Sequence, residues 1–238
     1  TDDYCVFGVF GPKSRALMKS ISKDNFENDN FRFSTAKYIT IEGIKIWTQR
    51  LSYVGELGYE LYVKSKDAKK IYELLVNKGK DFNLSNCGMH AMDIMRMESG
   101  FLHWGHDISP EENQYQAGLS FTISSKKEHE FIGKKALEKI KKEKIKSRFA
   151  MFILKDSKPG EPLLLHDEPI YLENKIIGRS TSGNYSFNFR KNLAFGYINN
   201  EISNDELHKK DLFIEIEKKK YSIEAINKPL KQTNFKNN

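Results

Sequence analysis

Apolar residues crowd Tyr4–Phe10, and the run stops at Gly11-Pro12. That punctuation predicts a strand followed by a helix through Ile21, with Gly closing one element and Pro opening the next. Residues 22–32 are rich in Asn, Asp and Ser and read as a loop. A period of two then appears in Lys37–Thr48. Ile39 and Ile41 share a face, Glu42-Gly43 turns the chain, and Ile44 and Ile46 resume the pattern. Tyr59–Val63 predicts another strand. After Ser65, the expected N-cap, the spacing becomes helical: Ala68, Ile71, Leu74 and Leu75 form one stripe, closed by Gly79. A second helix-like segment runs from Met89 to Ser99.

From Arg148 onward the pattern is all strand. Arg148–Leu154, Ile170–Leu172, Ile176–Ser182, Leu193–Ile198, Leu212–Glu217 and Tyr221–Ile226 are short runs separated by turn signals. The predicted fold is therefore α+β: an antiparallel-sheet and helix subdomain of ferredoxin-like type over residues 1–125, then a small C-terminal β-barrel over 147–238. Residues 126–146 read as a lysine-rich helical linker. There are no internal repeats.

Composition narrows the picture. With 39% hydrophobic and 30% charged residues over 238 positions, the chain is globular and can bury a core. Its net charge of +7 gathers in Lys134, Lys135, Lys139, Lys141, Lys142, Lys144 and Lys146. With Glu138 and Glu143 interleaved and Ala136, Leu137 and Ile140 on the other side, these lysines form the solvated face of an amphipathic helix. The lysines lack interleaved aromatics, so nucleic acid is not an expected partner. No run approaches a membrane span. Cys5 and Cys87 lack metal-ligand spacing and read as buried small side chains in a reducing cytoplasm. A chain that starts at Thr1 and enters a strand at once is expected to be a fragment or processed piece.

Two segments carry candidate chemistry. The first is Arg50-Leu-Ser-Tyr-Val-Gly-Glu-Leu-Gly-Tyr-Glu-Leu-Tyr-Val63. Read as a hairpin around Gly55–Gly58, it pairs Val54 with Tyr59 and Tyr53 with Glu60, so Tyr53 and Glu60 share a face. An aromatic plane beside a carboxylate suits a flat heterocycle with adjacent N–H donors: the ring stacks and the carboxylate accepts two parallel hydrogen bonds. Taken alone, Glu60 reads sooner as a solvent-facing residue of an edge strand, and Tyr53 as a half-buried packing residue. The second segment is Arg96-Met-Glu-Ser-Gly-Phe-Leu-His-Trp-Gly-His-Asp107. Its His-Trp-Gly-His spacing is wrong for two ligands on one helix face, so a metal is not expected. No Gly-x-Ser-x-Gly elbow and no Gly-x-Gly-x-x-Gly fingerprint occurs.

The first segment resembles the Tyr-Thr-Gly-Glu-x-Gly-x-Glu motif of the folate-binding aminomethyltransferases, the T-protein family of the glycine cleavage system. The second is more similar to the C-terminal folate half of dimethylglycine and sarcosine dehydrogenases. Gln116–Phe121, Glu130–Leu137, Gly178–Tyr185 and Asn192–Ile198 also resemble family segments, in the same order along nearly the whole chain. The resemblance implies that Tyr53 and Glu60 hold a pterin, that Phe121 takes the place of a tryptophan beside the folate, and that Arg148 lines the folate site. By residue type alone, Phe121 is as readily a core residue and Arg148 a surface charge at a strand end. Met92 stands where the glycine cleavage enzymes carry a folate-contacting arginine, a departure toward the dehydrogenase-linked branch. Arg96 and Glu98 are expected to form a structural pair or network. The Trp-Gly-His-Asp element is expected near the folate as a strand-to-loop connection.

The family's catalytic aspartate lies in an earlier region, so no catalytic base is assigned. The implied cofactor is tetrahydrofolate, with FAD only in a missing upstream domain. The implied partners are folate, a small amine substrate, and an upstream domain or N-terminal half of the same protein. The reaction implied is transfer of a one-carbon unit from an N-methyl amine or aminomethyl donor to tetrahydrofolate, giving 5,10-methylenetetrahydrofolate, with this piece alone inactive. A tetrahydrofolate-dependent demethylase of the same fold and a non-catalytic folate-binding module are the alternatives.

Overall fold

A computed structural model describes residues 2–124 and 130–232. Positions 126–129 of the predicted linker lie outside the described residues. Two compact units form: one runs to Ser99 and takes back Lys231, the other is Gly100–Leu230.

The first unit is built on a four-stranded antiparallel sheet of β1 (Tyr4–Phe10), β2 (Ala36–Ile41), β3 (Ile44–Gln49) and β4 (Gly58–Lys64), in the order β1-β4-β3-β2. The β2–β3 hairpin is closed by Glu42 (φ 50°) and Gly43 (φ 77°). Two successive positive φ values match the twist of the flanking strands, and glycine takes the second at no steric cost. One face of the sheet is apolar: Val9, Ile39, Ile41, Ile46, Tyr59, Leu61 and Val63 are buried. Helix α1 (Ser14–Ile21) supplies Leu17 and Met18 to the same core, and α2 (Ser65–Gly79) supplies Ile71 and Leu75. Phe26 and Phe31 fill the remainder, each with its ring 5.4–5.6 Å from that of Tyr59. Helix α3 (Met89–Glu98) follows.

The second unit holds α4 (Lys134–Lys142), α5 (Asn204–Lys209) and a closed six-stranded antiparallel barrel. Its strands are β5 (Ser147–Leu154), β6 (Pro169–Leu172), β7 (Lys175–Ser186), β8 (Lys191–Asn199), β9 (Leu212–Ile216) and β10 (Lys219–Ile226), ordered β10-β5-β8-β7-β6-β9. Phe152, Leu154, Ile170, Ile198, Ile214 and Ile223 fill its interior. In α4, Leu137 and Ile140 are half-buried, and Lys135, Glu138 and Lys139 are exposed. The helix is thus amphipathic as its sequence requires, and it occupies only Lys134–Lys142 of the 126–146 linker expected.

Several expectations are corrected. Residues 50–57 form no strand, and the pairing of Tyr53 with Glu60 does not occur. Glu60 faces Gly8 on β1 and Gln49 on β3 instead. The cause is long-range: the Leu57 carbonyl accepts from Gly11 N (2.8 Å) and from Ser14 Oγ (3.1 Å), drawing the segment toward β1 and α1. Ser65 does not cap α2. Its hydroxyl donates to the Asp2 carbonyl, and Lys64 occupies the cap position. Cys5 is half-buried and Cys87 exposed, because the first lies on the edge strand β1 and the second in a loop before α3. By packing alone, residues 100–124 lie in the same compact unit as the barrel, which leaves the expected domain boundary near 125 untested. Among the described residues, no helix is long and apolar enough to cross a membrane.

Candidate functional site

The face of the sheet opposite the core shared with α1 and α2 carries the first candidate group. Alternation along β4 buries Tyr59, Leu61 and Val63 and leaves Glu60 and Tyr62 on the other side, both half-buried. The Tyr62 hydroxyl donates to Glu60 Oε2 at 3.0 Å. Among the described residues, Oε1 has no hydrogen-bond partner. Burial, followed by the Glu60 carboxylate, pushes the Tyr62 phenol above its ordinary value, so it stays a donor at neutral pH. The strand beside Glu60 presents Gly8, which offers no side chain. The ring of Phe10 lies across Gly8 and Gly58: a Cβ at either position would meet that ring at 2.4 and 2.0 Å. The row beyond Tyr62 continues through Trp47 and Tyr38, whose rings meet edge to face at 4.9 Å. The carboxylate is thus flanked by aromatic surface on both sides, and one of its oxygens is unused. Such a group accepts hydrogen bonds from a planar donor.

Tyr53 lies in the 50–57 segment and is half-buried. That segment is fixed by Gly55 at φ 67°, by Glu56 N donating to Ser52 Oγ (3.0 Å), and by the Lys231 ammonium, which pairs with Glu56. At its start Arg50 is 1% exposed and donates from Nη1 to the Phe31 carbonyl at 2.6 Å. In α3, Arg96 is equally buried and forks onto Asp93 with Nε at 2.8 Å and Nη2 at 2.7 Å. Glu98 is buried as well.

The barrel unit holds the other two candidates. Phe121 sits in a short 3₁₀ turn, Ser120–Thr122, and is 82% exposed, which removes the core reading. Arg148 opens β5 and donates from Nη2 to the Ile202 carbonyl at 2.9 Å. Burial lowers its pKa, yet a guanidinium remains charged at neutral pH. The four predicted residues therefore fall two in each unit.

His103, His106 and Asp107 form a tight turn. The His103 carbonyl accepts from Asp107 N at 2.8 Å, and Asp107 Oδ2 accepts from His103 N at 2.9 Å. Asp107 Oδ1 accepts from Thr181 Oγ1 (2.6 Å) and Ser182 Oγ (2.8 Å). Adjacent residues of a regular strand point to opposite faces, but a bulge at Ser180/Ser182 lets both hydroxyls reach one oxygen. Gln116 adds a second tie: its carbonyl accepts from Phe149 N and its Nε2 donates to Ser147 Oγ. Asp107 is 1% exposed and ties the 103–107 turn to β7. Among the described residues no group of three or more His, Cys, Asp and Glu is placed to hold a metal. The contributions of Tyr62 and Phe10 escape a reading by motif. The i, i+2 spacing of Glu60 and Tyr62 on one strand was the available signal.

Two family models cover the chain. Residues 1–127 match the GCVT N-terminal domain, and residues 148–231 match the glycine cleavage T-protein C-terminal barrel domain. Mitochondrial dimethylglycine dehydrogenase of Rattus norvegicus is 33% identical over 231 residues, covering 97% of this chain and 26% of that protein. The 4-methylaminobutanoate oxidase (formaldehyde-forming) of Paenarthrobacter nicotinovorans is 40% identical over 178 residues, 75% of this chain and 21% of that protein. The crystal structure of glycine cleavage system aminomethyltransferase T from Bartonella henselae superposes with a TM-score of 0.80 at 21% identity, covering 96% of this chain and 60% of that one. That likeness shows the fold. The chain spans about a quarter of the length of the dehydrogenase it matches.

Proposed function

The chain belongs to the glycine cleavage T-protein family, and from that membership we propose that it is the tetrahydrofolate-binding portion of an enzyme resembling dimethylglycine or sarcosine dehydrogenase. The reaction is transfer of a one-carbon unit from an N-methyl amine or aminomethyl donor to tetrahydrofolate, giving 5,10-methylenetetrahydrofolate. The observation that carries this reading is the Glu60 carboxylate, held by Tyr62 on the sheet face opposite the core, with Oε1 unused among the described residues. A pterin edge, with an N–H and an amino group side by side, fits that acceptor, and the flanking aromatic rings fit its plane. Tetrahydrofolate supplies the two nitrogens that take up the carbon. The contribution of this chain is to bind and orient: Glu60 fixes the ring edge and Tyr53 adds surface. Orientation is itself a large part of catalysis, because it replaces an encounter in solution. FAD belongs to this proposal only as part of a longer protein.

The test is calorimetric titration of the chain with tetrahydrofolate, with dimethylglycine as control ligand. Folate binding that weakens about tenfold or more in Glu60→Ala is expected, the worth of a lost charge-assisted contact. Unchanged affinity in the variant would contradict the assignment. A second reading rests on the relative named as forming formaldehyde. If water rather than folate takes the carbon in the longer protein, product analysis with an N-methyl amine will show formaldehyde in equal yield with and without tetrahydrofolate.

A further inference from the structure

A carboxylate on a flexible side chain is an indifferent receptor, because the terminal torsion of glutamate is broad and soft. On this sheet face it is not left soft. Glu60 sits in the middle of β4 with strands on both sides, Gly8 and Gln49 being its cross-strand neighbours. Two residues along the same strand, the Tyr62 hydroxyl donates to Oε2 at 3.0 Å. Tyr62 is itself anchored in the sheet, opposite Val6 on one side and Trp47 on the other. On the far side, the Phe10 ring covers Gly8 and Gly58.

We infer that Tyr62 is a positioning and specificity residue: by holding Oε2 it fixes the plane of the Glu60 carboxylate and aims Oε1 at a ligand edge bearing two adjacent N–H donors. The inference rests on the folate reading above and adds to it a residue outside the set Tyr53, Glu60, Phe121 and Arg148. The chemistry is that of a shared acceptor. Each carboxylate oxygen takes up to two hydrogen bonds, so Oε2 can accept from Tyr62 and from one ligand N–H while Oε1 accepts from the other. A ligand with a single donor needs no fixed plane and gains little from Tyr62. A ligand with two donors gains both geometry and reduced rotor freedom, so the tyrosine sharpens discrimination rather than simply adding affinity.

The test compares two ligands on the 238-residue chain. One is tetrahydrofolate; the other is an analogue with a methyl group in place of its exocyclic 2-amino group. The wild-type chain is expected to prefer tetrahydrofolate by about tenfold or more. In Tyr62→Phe, which keeps the ring and its packing, that preference is expected to fall about fivefold while the melting temperature stays put. Glu60→Gln should abolish the preference and calibrates the scale. Equal weakening of both ligands by Tyr62→Phe would make Tyr62 merely structural and overturn the inference, with the folate reading intact. Failure of the wild-type chain to bind either ligand would overturn the folate reading and this inference with it.

Discussion

Glu60 and Asp107 both stand in segments that look functional, and the structure gives them opposite circumstances. Asp107 is 1% exposed, and both of its oxygens are engaged, by two hydroxyls and a backbone N–H. Glu60 is half-buried, with one oxygen held by Tyr62 and the other without a partner among the described residues. A carboxylate whose acceptors are all taken by its own protein is a structural tie; one with an acceptor to spare can take a hydrogen bond from a ligand or from water. The lesson is that hydrogen-bond accounting separates the two roles where residue type and motif do not.

The sharpest way to break this comparison is to exchange stability for affinity. Asp107→Ala strands two hydroxyls and the His103 amide inside the barrel unit. It is expected to cost about 3 kcal/mol, read as a lowered denaturant midpoint, with any residual folded chain binding folate normally. Glu60→Ala should do the reverse: its midpoint should move by less than about 0.5 kcal/mol while affinity falls. A stability loss in Glu60→Ala comparable to that in Asp107→Ala would erase the distinction. Smaller in effect, Gly58→Ala places a methyl group 2.0 Å from the Phe10 ring. The ring must move, at a cost of about 1–2 kcal/mol, and folate affinity should drop with it if Phe10 bounds the ligand face.

Smaller still is a change at the start of α5. Ser203 caps α5, accepting from Glu206 N at 3.2 Å while the Glu206 carboxylate accepts from Ser203 N at 3.0 Å. The Ser203 backbone N–H, then its hydroxyl and Lys210, hold the Glu206 carboxyl below its ordinary 4.5. Its folded pKa therefore lies beneath the unfolded one. The stabilisation is complete above pH 4.5 and is lost as pH falls through the folded value. Ser203→Ala should lower stability by about 1 kcal/mol at neutral pH and flatten that acid limb, with ligand binding unaffected.

Much of the fold was legible because local signals agreed with the global arrangement. Ile39, Ile41, Ile44 and Ile46 around Glu42-Gly43 specify a hairpin by themselves, and β5, β6 and β9 are short apolar runs bounded by turn residues, whereas β7 is longer and largely polar. What could not be read depends on partners distant in sequence. The 50–57 segment looks like a strand arm, yet Leu57 answers to Gly11 and Ser14, and Glu60 pairs with Gly8, 52 positions earlier (60 − 8). Asp107 finds Thr181 across 74 positions, through a bulge that no pattern announces. Ser65 looked like a cap because Ser often is one; the nearby Asp2 carbonyl took its hydroxyl instead. At the candidate site, Glu60 was visible as a lone acid in a strand. The expected pairing of Tyr53 with Glu60 needed a strand arm at residues 50–57, whereas the contact the structure gives Glu60 comes from Tyr62, two residues on along β4.

The most direct test of the central claim is amide chemical-shift mapping by nuclear magnetic resonance as tetrahydrofolate is added to the isotope-labelled chain. If the sheet face opposite the core is the receptor, the largest shifts will fall on Gly8, Gly58, Glu60 and Tyr62, and the turn around Asp107 will stay still. Shifts concentrated on residues 103–108 and 178–182, with Glu60 and Tyr62 silent, would contradict it.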